Sequence, residues 1–248
     1  MSGERPKLYL LDVEGTVAPL TLTTGQLFPY ARRHFREFLR DNVEDPAVRE
    51  DLILLAEENR AEGDPNVPCR LPNVKWTGFV DGLKFQVDAL IYLLWLMDRD
   101  RKSTALKSLQ GKIWKAGFES GELKGTLFDD VPGAFRNWSA RGKVAIYSSG
   151  SVEAQKLLFG HTVFGDLRPL VAGYFDTRTG PKMESASYAA IAKVMEVTPG
   201  EAMFFSDVVK ELDVAREAGM ETRLVVREGN AVVEDDHGHR RVASLEDV

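Results

Sequence analysis

The sequence predicts an α/β protein: a doubly wound parallel sheet carrying an inserted helical segment. Three observations predict it. Short apolar runs of β-forming residues recur at 7–13, 144–148, 202–206 and 222–226, the last three each preceded by a helical pattern. Strands alternating with amphipathic helices make a parallel sheet covered on both faces. More than a hundred residues separate Thr16 from Val144, whereas one strand-to-strand crossover needs about 30. The excess predicts an insertion.

Taken in order, the first strand, 7–13, runs straight into Asp12-Val13-Glu14-Gly15-Thr16. In open α/β sheets ligands bind at the carboxyl ends of strands. Two acids at i and i+2 leave the same face of an extended segment. Such a pair repels itself unless a cation sits nearby or one member is protonated. This spacing fits a magnesium-dependent site with one nucleophilic and one acid/base carboxylate, or a strand entering a solvated acidic turn.

The insertion reads as helical at 28–39, 48–60, 85–98 and 103–115, interrupted by a proline-rich loop at 65–72 that contains Cys69. The expected division is a core of 1–20 and 125–248 and a helical cap of 21–124, placed as a lid over the strand ends. The second strand, 144–148, ends in Tyr147-Ser148-Ser149-Gly150-Ser151 and passes into a helix at 152–159. A hydroxyl there, beside helix-start N–H groups, suits an anion, although serines at such a place also serve as caps.

Thr179-Gly180-Pro181-Lys182 opens a helix at 185–195. A lysine near a helix N-terminus opposes the macrodipole, so Lys182 either has an anionic partner or reaches into water. The strand at 202–206 delivers Ser206-Asp207, followed by a helix at 210–218 closed by Gly219. Asp207 can cap that helix or face a ligand, and Glu211 can support it. Each motif is weak singly, but together they set acid pair, serine, lysine and acid at successive strand ends, a pattern suited to phosphoryl transfer.

Bulk properties narrow the field. The 248 residues suit one large domain or a core with an insertion, and 44% hydrophobic content supports a packed core. A net charge of -6 gives no reason to expect nucleic acid. Cys69, the one cysteine, has no internal disulfide partner and no nearby histidine signal, which favours a reducing compartment and a bystander thiol. The densest apolar stretch, 89–97, falls short of the roughly 20 residues that span a bilayer. With no signal-peptide pattern at the start, a cytoplasmic protein without membrane partners is expected.

The ordered motifs resemble those of the haloacid dehalogenase-like hydrolases, which carry an acidic pair, a Ser/Thr, a Lys and a final acid. The usual first motif has aspartate twice, and here the second acid is Glu14. Asp-Val-Glu-Gly-Thr followed by Leu27-Phe28-Pro29-Tyr30-Ala31-Arg32 is similar to the acireductone synthase branch, the enolase-phosphatases of methionine salvage. Gly121-Glu122-Leu123-Lys124-Gly125, the serine motif with Val152-Glu153-Ala154-Gln155, Gly180-Pro181-Lys182 and Ser206–Asp213 extend the match to nearly the whole chain. It is weakest across 44–75. One departure lies at Val226-Arg227-Glu228-Gly229-Asn230, where proline is expected before the glycine; the loop reads as peripheral.

That resemblance implies a HAD-like Rossmannoid core and, as substrate, a small phosphorylated diketone, 2,3-diketo-5-methylthiopentyl-1-phosphate. The substrate is enolised and then dephosphorylated to acireductone, with one Mg²⁺ per subunit, in a monomer. Asp12 is implied as nucleophile and Glu14 as acid/base. Ser148, Ser149 and Lys182 would hold the phosphate, and Asp12, the Glu14 region and Asp207 would hold the metal. The base for enolisation stays open between Glu14 and a cap residue. Phe79, Phe85, Tyr92, Trp95 and Trp114 are candidates either for the methylthio pocket or for core packing. A phosphatase for another ester, a phosphomutase and a non-catalytic binding module are the rivals. Asp235-Asp236-His237-Gly238-His239 reads as a mobile polar loop rather than a metal site.

Overall fold

Six parallel strands form one sheet in the order β3-β2-β1-β4-β5-β6. They are β1 (Leu8–Leu11), β2 (Lys143–Tyr147), β3 (Gly173–Phe175), β4 (Ala202–Ser206), β5 (Glu221–Val225) and β6 (Arg240–Val242). The computed structural model describes residues 5–73, 82–234 and 237–248. The four expected strands are present, and the short β3 and β6 join them. Neither has a run long enough to stand out, since β3 opens on glycine and β6 on two arginines.

The sheet belongs to the unit made of 1–24 and 121–248. Its central strands are buried along their whole length, β1 as Leu-Tyr-Leu-Leu and β4 as Ala-Met-Phe-Phe-Ser, as expected when both faces are covered. On one face Leu8, Leu10, Tyr147 and Phe204 share a core with Tyr188, Ile191 and Leu212. Those three come from α7 (Ser185–Val194) and α8 (Val209–Glu217). On the other face Tyr9 stacks on Trp138 at 4.6 Å, and Trp138 on Phe205 at 5.1 Å. Trp138 comes from α5 (Val131–Ser139), a helix the sequence reading did not pick out.

Strand order reverses direction between β1 and β4, which pair in parallel with Leu11 opposite Phe205. Chains leaving the carboxyl ends of these two strands turn to opposite sides, which opens the crevice where doubly wound sheets bind ligands. Asp12 and Asp207 stand at those two ends.

A second unit, 25–120, is helical. It contains α1 (Phe28–Asn42), α2 (Pro46–Ala61), α3 (Gly82–Asp98) and α4 (Thr104–Ser120). Asp45 caps α2 through the amides of Ala47 and Val48, and Glu58 on α2 caps α4 through Thr104 N–H at 2.9 Å. Lys112 bridges α4 to Asp51 at 2.6 Å. Of the aromatic candidates, Phe85, Tyr92 and Trp95 are buried within this unit. Trp114 donates its indole N–H to Leu27 O at 2.8 Å, and Phe79 lies outside the described residues. Among the described residues no helix is long and apolar enough to cross a membrane. Cys69 donates to Asp88 O, and burial pushes its thiol up, away from the reactive thiolate.

Candidate active site

β1 ends at Leu11, earlier than the expected 7–13, although Asp12 N still donates to Phe205 O at 2.9 Å. The acidic pair therefore does not lie on extended strand. Amides of Thr16, Val17 and Ala18 all donate to Val13 O, and Gly15 N donates to Ala18 O, so 13–18 closes into a tight turn. Gly15 permits it with φ +73°, a region that side-chain-bearing residues rarely enter. A Cβ at Gly15 would collide with the Asp207 carboxylate, so that acid lies directly against the turn. Gly121 has nearly the same φ, +77°, but faces open space. Gly15→Ala should lower stability by about 1–3 kcal/mol, and Gly121→Ala by about 1 kcal/mol from backbone strain alone. Urea unfolding of the two variants checks this; equal losses would remove the collision.

Lys182 Nζ lies 2.5 Å from Asp12 Oδ1 and 2.9 Å from Glu211 Oε2. This supplies the anionic partner that its placement demanded. Three hydroxyls fix the backbone beneath it. Tyr147 donates to Gly180 O at 2.8 Å, Ser187 to Pro181 O at 2.8 Å, and Tyr188 to Lys182 O at 2.9 Å. Burial alone would pull the lysine's pKa down, but the charges of Asp12 and Glu211 outweigh it and hold the ammonium above its ordinary value. Glu211 is raised by burial and by Asp12, against the lowering pull of Lys182; it also accepts from Ser206 Oγ at 3.1 Å.

Asp207 does not cap α8, whose N-cap, Val208, has no side-chain bond. Its carboxyl is pushed up from 3.8 to about 6, first by burial and then by the charge of Asp12. A raised acid contributes stability that is complete below about pH 4 and is lost as pH rises through about 6. In chelator, the stability of wild type relative to Asp207→Asn should therefore fall between pH 4 and pH 7. Urea midpoints across that range measure it, and a flat or rising difference would contradict it.

Glu14 is half-buried, and its Oε1 accepts from Thr23 N at 3.0 Å. At the end of β2, Ser151 takes the capping role on α6 (Val152–Gly160) by accepting from Ala154 N. Ser148 Oγ accepts from Gly150 N at 3.2 Å, and Ser149 is exposed. Buried Gln155 donates to Gly150 O at 2.8 Å and Phe175 O at 2.9 Å, which explains its place after the serine motif. Asp176, which the sequence did not signal, accepts from Val152 N and pairs with Arg178.

Two further residues were missed because their loop read as peripheral. Asn230 Nδ2 donates to Gly15 O at 2.9 Å, and Arg227 Nε to Thr16 O at 3.2 Å. The 226–230 loop is therefore part of the site's frame, a contact across more than two hundred residues that no local pattern signals. In the tail, His239 is buried between Thr222 and Asp213 rather than free to bind metal, and Asp235 and Asp236 lie outside the described residues.

Among the described residues, the site gathers the carboxyls of Asp12, Glu211 and Asp207 around the single cation of Lys182. Such an excess of negative charge favours a bound cation. Among the described residues no three acid, histidine or cysteine side chains form a metal cluster. Two carboxylates, Asp12 and Asp207, nevertheless suit Mg²⁺, which binds through one or two carboxylates and keeps several waters.

The profile of haloacid dehalogenase-like hydrolases matches residues 6–219. The chain is 50% identical over 226 residues to enolase-phosphatase E1 of Synechococcus elongatus, covering 91% of this chain and 90% of that protein. It is 42% identical to a probable bifunctional methylthioribulose-1-phosphate dehydratase/enolase-phosphatase E1 of Physcomitrium patens, covering 96% of this chain and 47% of that one. Among solved structures, the UTR4 protein of Saccharomyces cerevisiae superposes with a TM-score of 0.75 at 32% identity, covering 98% of this chain and all of the other.

Proposed function

From a chain that belongs to the haloacid dehalogenase-like hydrolase family, we propose an enolase-phosphatase acting on 2,3-diketo-5-methylthiopentyl-1-phosphate in methionine salvage. The observation that carries the reading is the buried Asp12–Lys182–Glu211 ion triad at the end of β1, with Asp207 against the same turn. High identity to enolase-phosphatase E1 proteins over nine-tenths of the chain supports the reaction. The fused dehydratase in the moss relative acts, by its name, on methylthioribulose-1-phosphate. Loss of water from such a sugar phosphate yields a diketone phosphate, which supports the substrate.

Enolisation removes a proton from the carbon bearing the phosphate ester, activated by the neighbouring ketone. Asp12 then attacks phosphorus and forms an aspartyl phosphate. Glu14 protonates the departing enol oxygen and afterwards accepts a proton from the water that frees phosphate and restores Asp12. Lys182, already between Asp12 and Glu211, lowers the repulsion between the nucleophile and the incoming phosphate. Ser148 and Ser149 would bind phosphate oxygens through their hydroxyls and the adjoining amides. Asp12, Asp207 and the Glu14 carbonyl would hold one Mg²⁺, whose charge offsets that of nucleophile and phosphate together. The helical unit is assigned the role of a cap that excludes water, and the working form is a monomer.

The test is a spectrophotometric assay of the purified protein on the diketone phosphate, following enol absorbance and free phosphate together. Both signals should appear, with the enol first. Phosphate without any enol signal, matched by turnover of unrelated esters, would make this a general phosphatase instead.

A further inference from the structure

The turn that carries Glu14 spends its own amides internally, on Val13 O and Ala18 O. Its outward carbonyls are held from elsewhere. Asn230 takes Gly15 O at 2.9 Å, Arg227 takes Thr16 O at 3.2 Å, and Phe128 N takes Val17 O at 3.0 Å. Arg227 is itself clamped. Its guanidinium forms a forked pair with Asp130 at 2.9 and 3.0 Å, donates to Ala243 O at 2.9 Å, and lies 4.4 Å from the Phe128 ring centre. Asp130 in turn accepts from Ser244 Oγ at 3.1 Å and Leu245 N at 2.7 Å. The pair is nearly buried, with Arg227 8% and Asp130 13% exposed.

This arrangement is expensive as a stability device. A buried ion pair is often no better than apolar packing of the same volume. Asn230 also leaves its Oδ1 buried without a partner, a further penalty. An apolar side chain would avoid both. What an apolar side chain cannot do is fix the orientation of two successive peptide planes, Gly15–Thr16 and Thr16–Val17, which begin one residue after Glu14 at the glycine that lies against Asp207.

We propose that Arg227 and Asn230, anchored by Asp130, are positioning residues that hold the Asp12–Thr16 turn in the geometry its chemistry requires. The proposal rests on the reading of Asp12 and Glu14 as the reacting pair. Neither Arg227 nor Asn230 touches substrate; each acts through the carbonyls it holds. Arginine is needed because one planar fork serves Asp130, Ala243 O and Thr16 O together, which a lysine's point charge cannot do.

The experiment compares Asn230→Ala, Arg227→Met and Arg227→Lys with Thr198→Ala. The last removes a capping box at the opposite end of β4 and serves as a control for stability alone. Turnover is measured on the diketone phosphate and on p-nitrophenyl phosphate, with amide hydrogen exchange across 12–18. Asn230→Ala and Arg227→Met should lower kcat about tenfold or more while KM moves by less than about twofold. Exchange across 12–18 should quicken in both. Arg227→Lys should recover only part of the loss, and Thr198→Ala should lose stability with kcat and exchange in the turn unchanged. Unchanged exchange in Asn230→Ala and Arg227→Met, or a kcat loss that tracks melting temperature as in the control, would overturn the proposal. A wild type that cleaves only p-nitrophenyl phosphate would sink the substrate reading instead, and the positioning would then be judged on that ester. Exchange reports on the turn whatever the substrate.

Discussion

Asp12→Asn will release phosphate at least about 10³-fold more slowly than wild type, a barrier increase of about 4 kcal/mol. The amide keeps the shape of the side chain but has neither the charge nor the free lone-pair density to attack phosphorus. The variant should still fold, because Lys182 keeps Glu211 at 2.9 Å as a partner. It also relieves crowding. The charge of Asp12 is one of the two main causes that push Asp207 up, so the Asp207 carboxyl should titrate lower in the variant. Quenched-flow phosphate assays and carboxyl titration by NMR measure the two effects. Near-wild-type phosphate release would remove Asp12 as nucleophile.

Lys182→Met is expected to be the other severe change, for a different reason. The lysine is buried and is the cation shared by Asp12 and Glu211. Removing one partner of a buried pair typically costs about 3–5 kcal/mol, because charge is left behind without compensation. Here two carboxylates are left, with Asp207 nearby. Glu211 is already raised by burial and loses the lysine that pulls it down. An acid raised in the folded state favours folding at low pH and loses that contribution as pH rises. The stability deficit of Lys182→Met should therefore be larger at pH 8 than at pH 5, in chelator, by urea unfolding. A deficit that is constant or grows toward acid would mean the lysine acts through packing. Activity should fall by at least about 10²-fold at either pH.

Where a signal is local, the chain displays it openly. β1, β2 and β4 are buried along almost their whole length and appear as apolar runs, β5 shows through its buried Thr222, Leu224 and Val225, and most helices, α5 excepted, were read from their own periodicity. Asp12, Lys182 and Asp207 were legible because Asp12 and Asp207 each follow an apolar strand directly and Lys182 lies just before a helix. Lys182 was singled out by an apparent electrostatic misfit, and the misfit resolves into its two carboxylate partners. The missed parts are those whose meaning is not local. The strand β3 has three residues and β6 carries two arginines, so neither has an apolar period. The early end of β1 depends on Gly15 adopting a positive φ against a carboxylate that comes from the far end of the chain. Arg227 and Asn230 sit in a loop whose composition is ordinary, and only the tertiary fold brings their side chains to Gly15 and Thr16.

The three hydroxyls of Tyr147, Ser187 and Tyr188 grip consecutive carbonyls from Gly180 to Lys182. A free lysine side chain carries about 2 kcal/mol of rotamer entropy. Here the backbone is fixed by those hydroxyls and the side chain by its pairs with Asp12 and Glu211, so that freedom is surrendered as the chain folds. If Lys182 holds phosphate as proposed, its side chain has little rotamer freedom left to lose on binding.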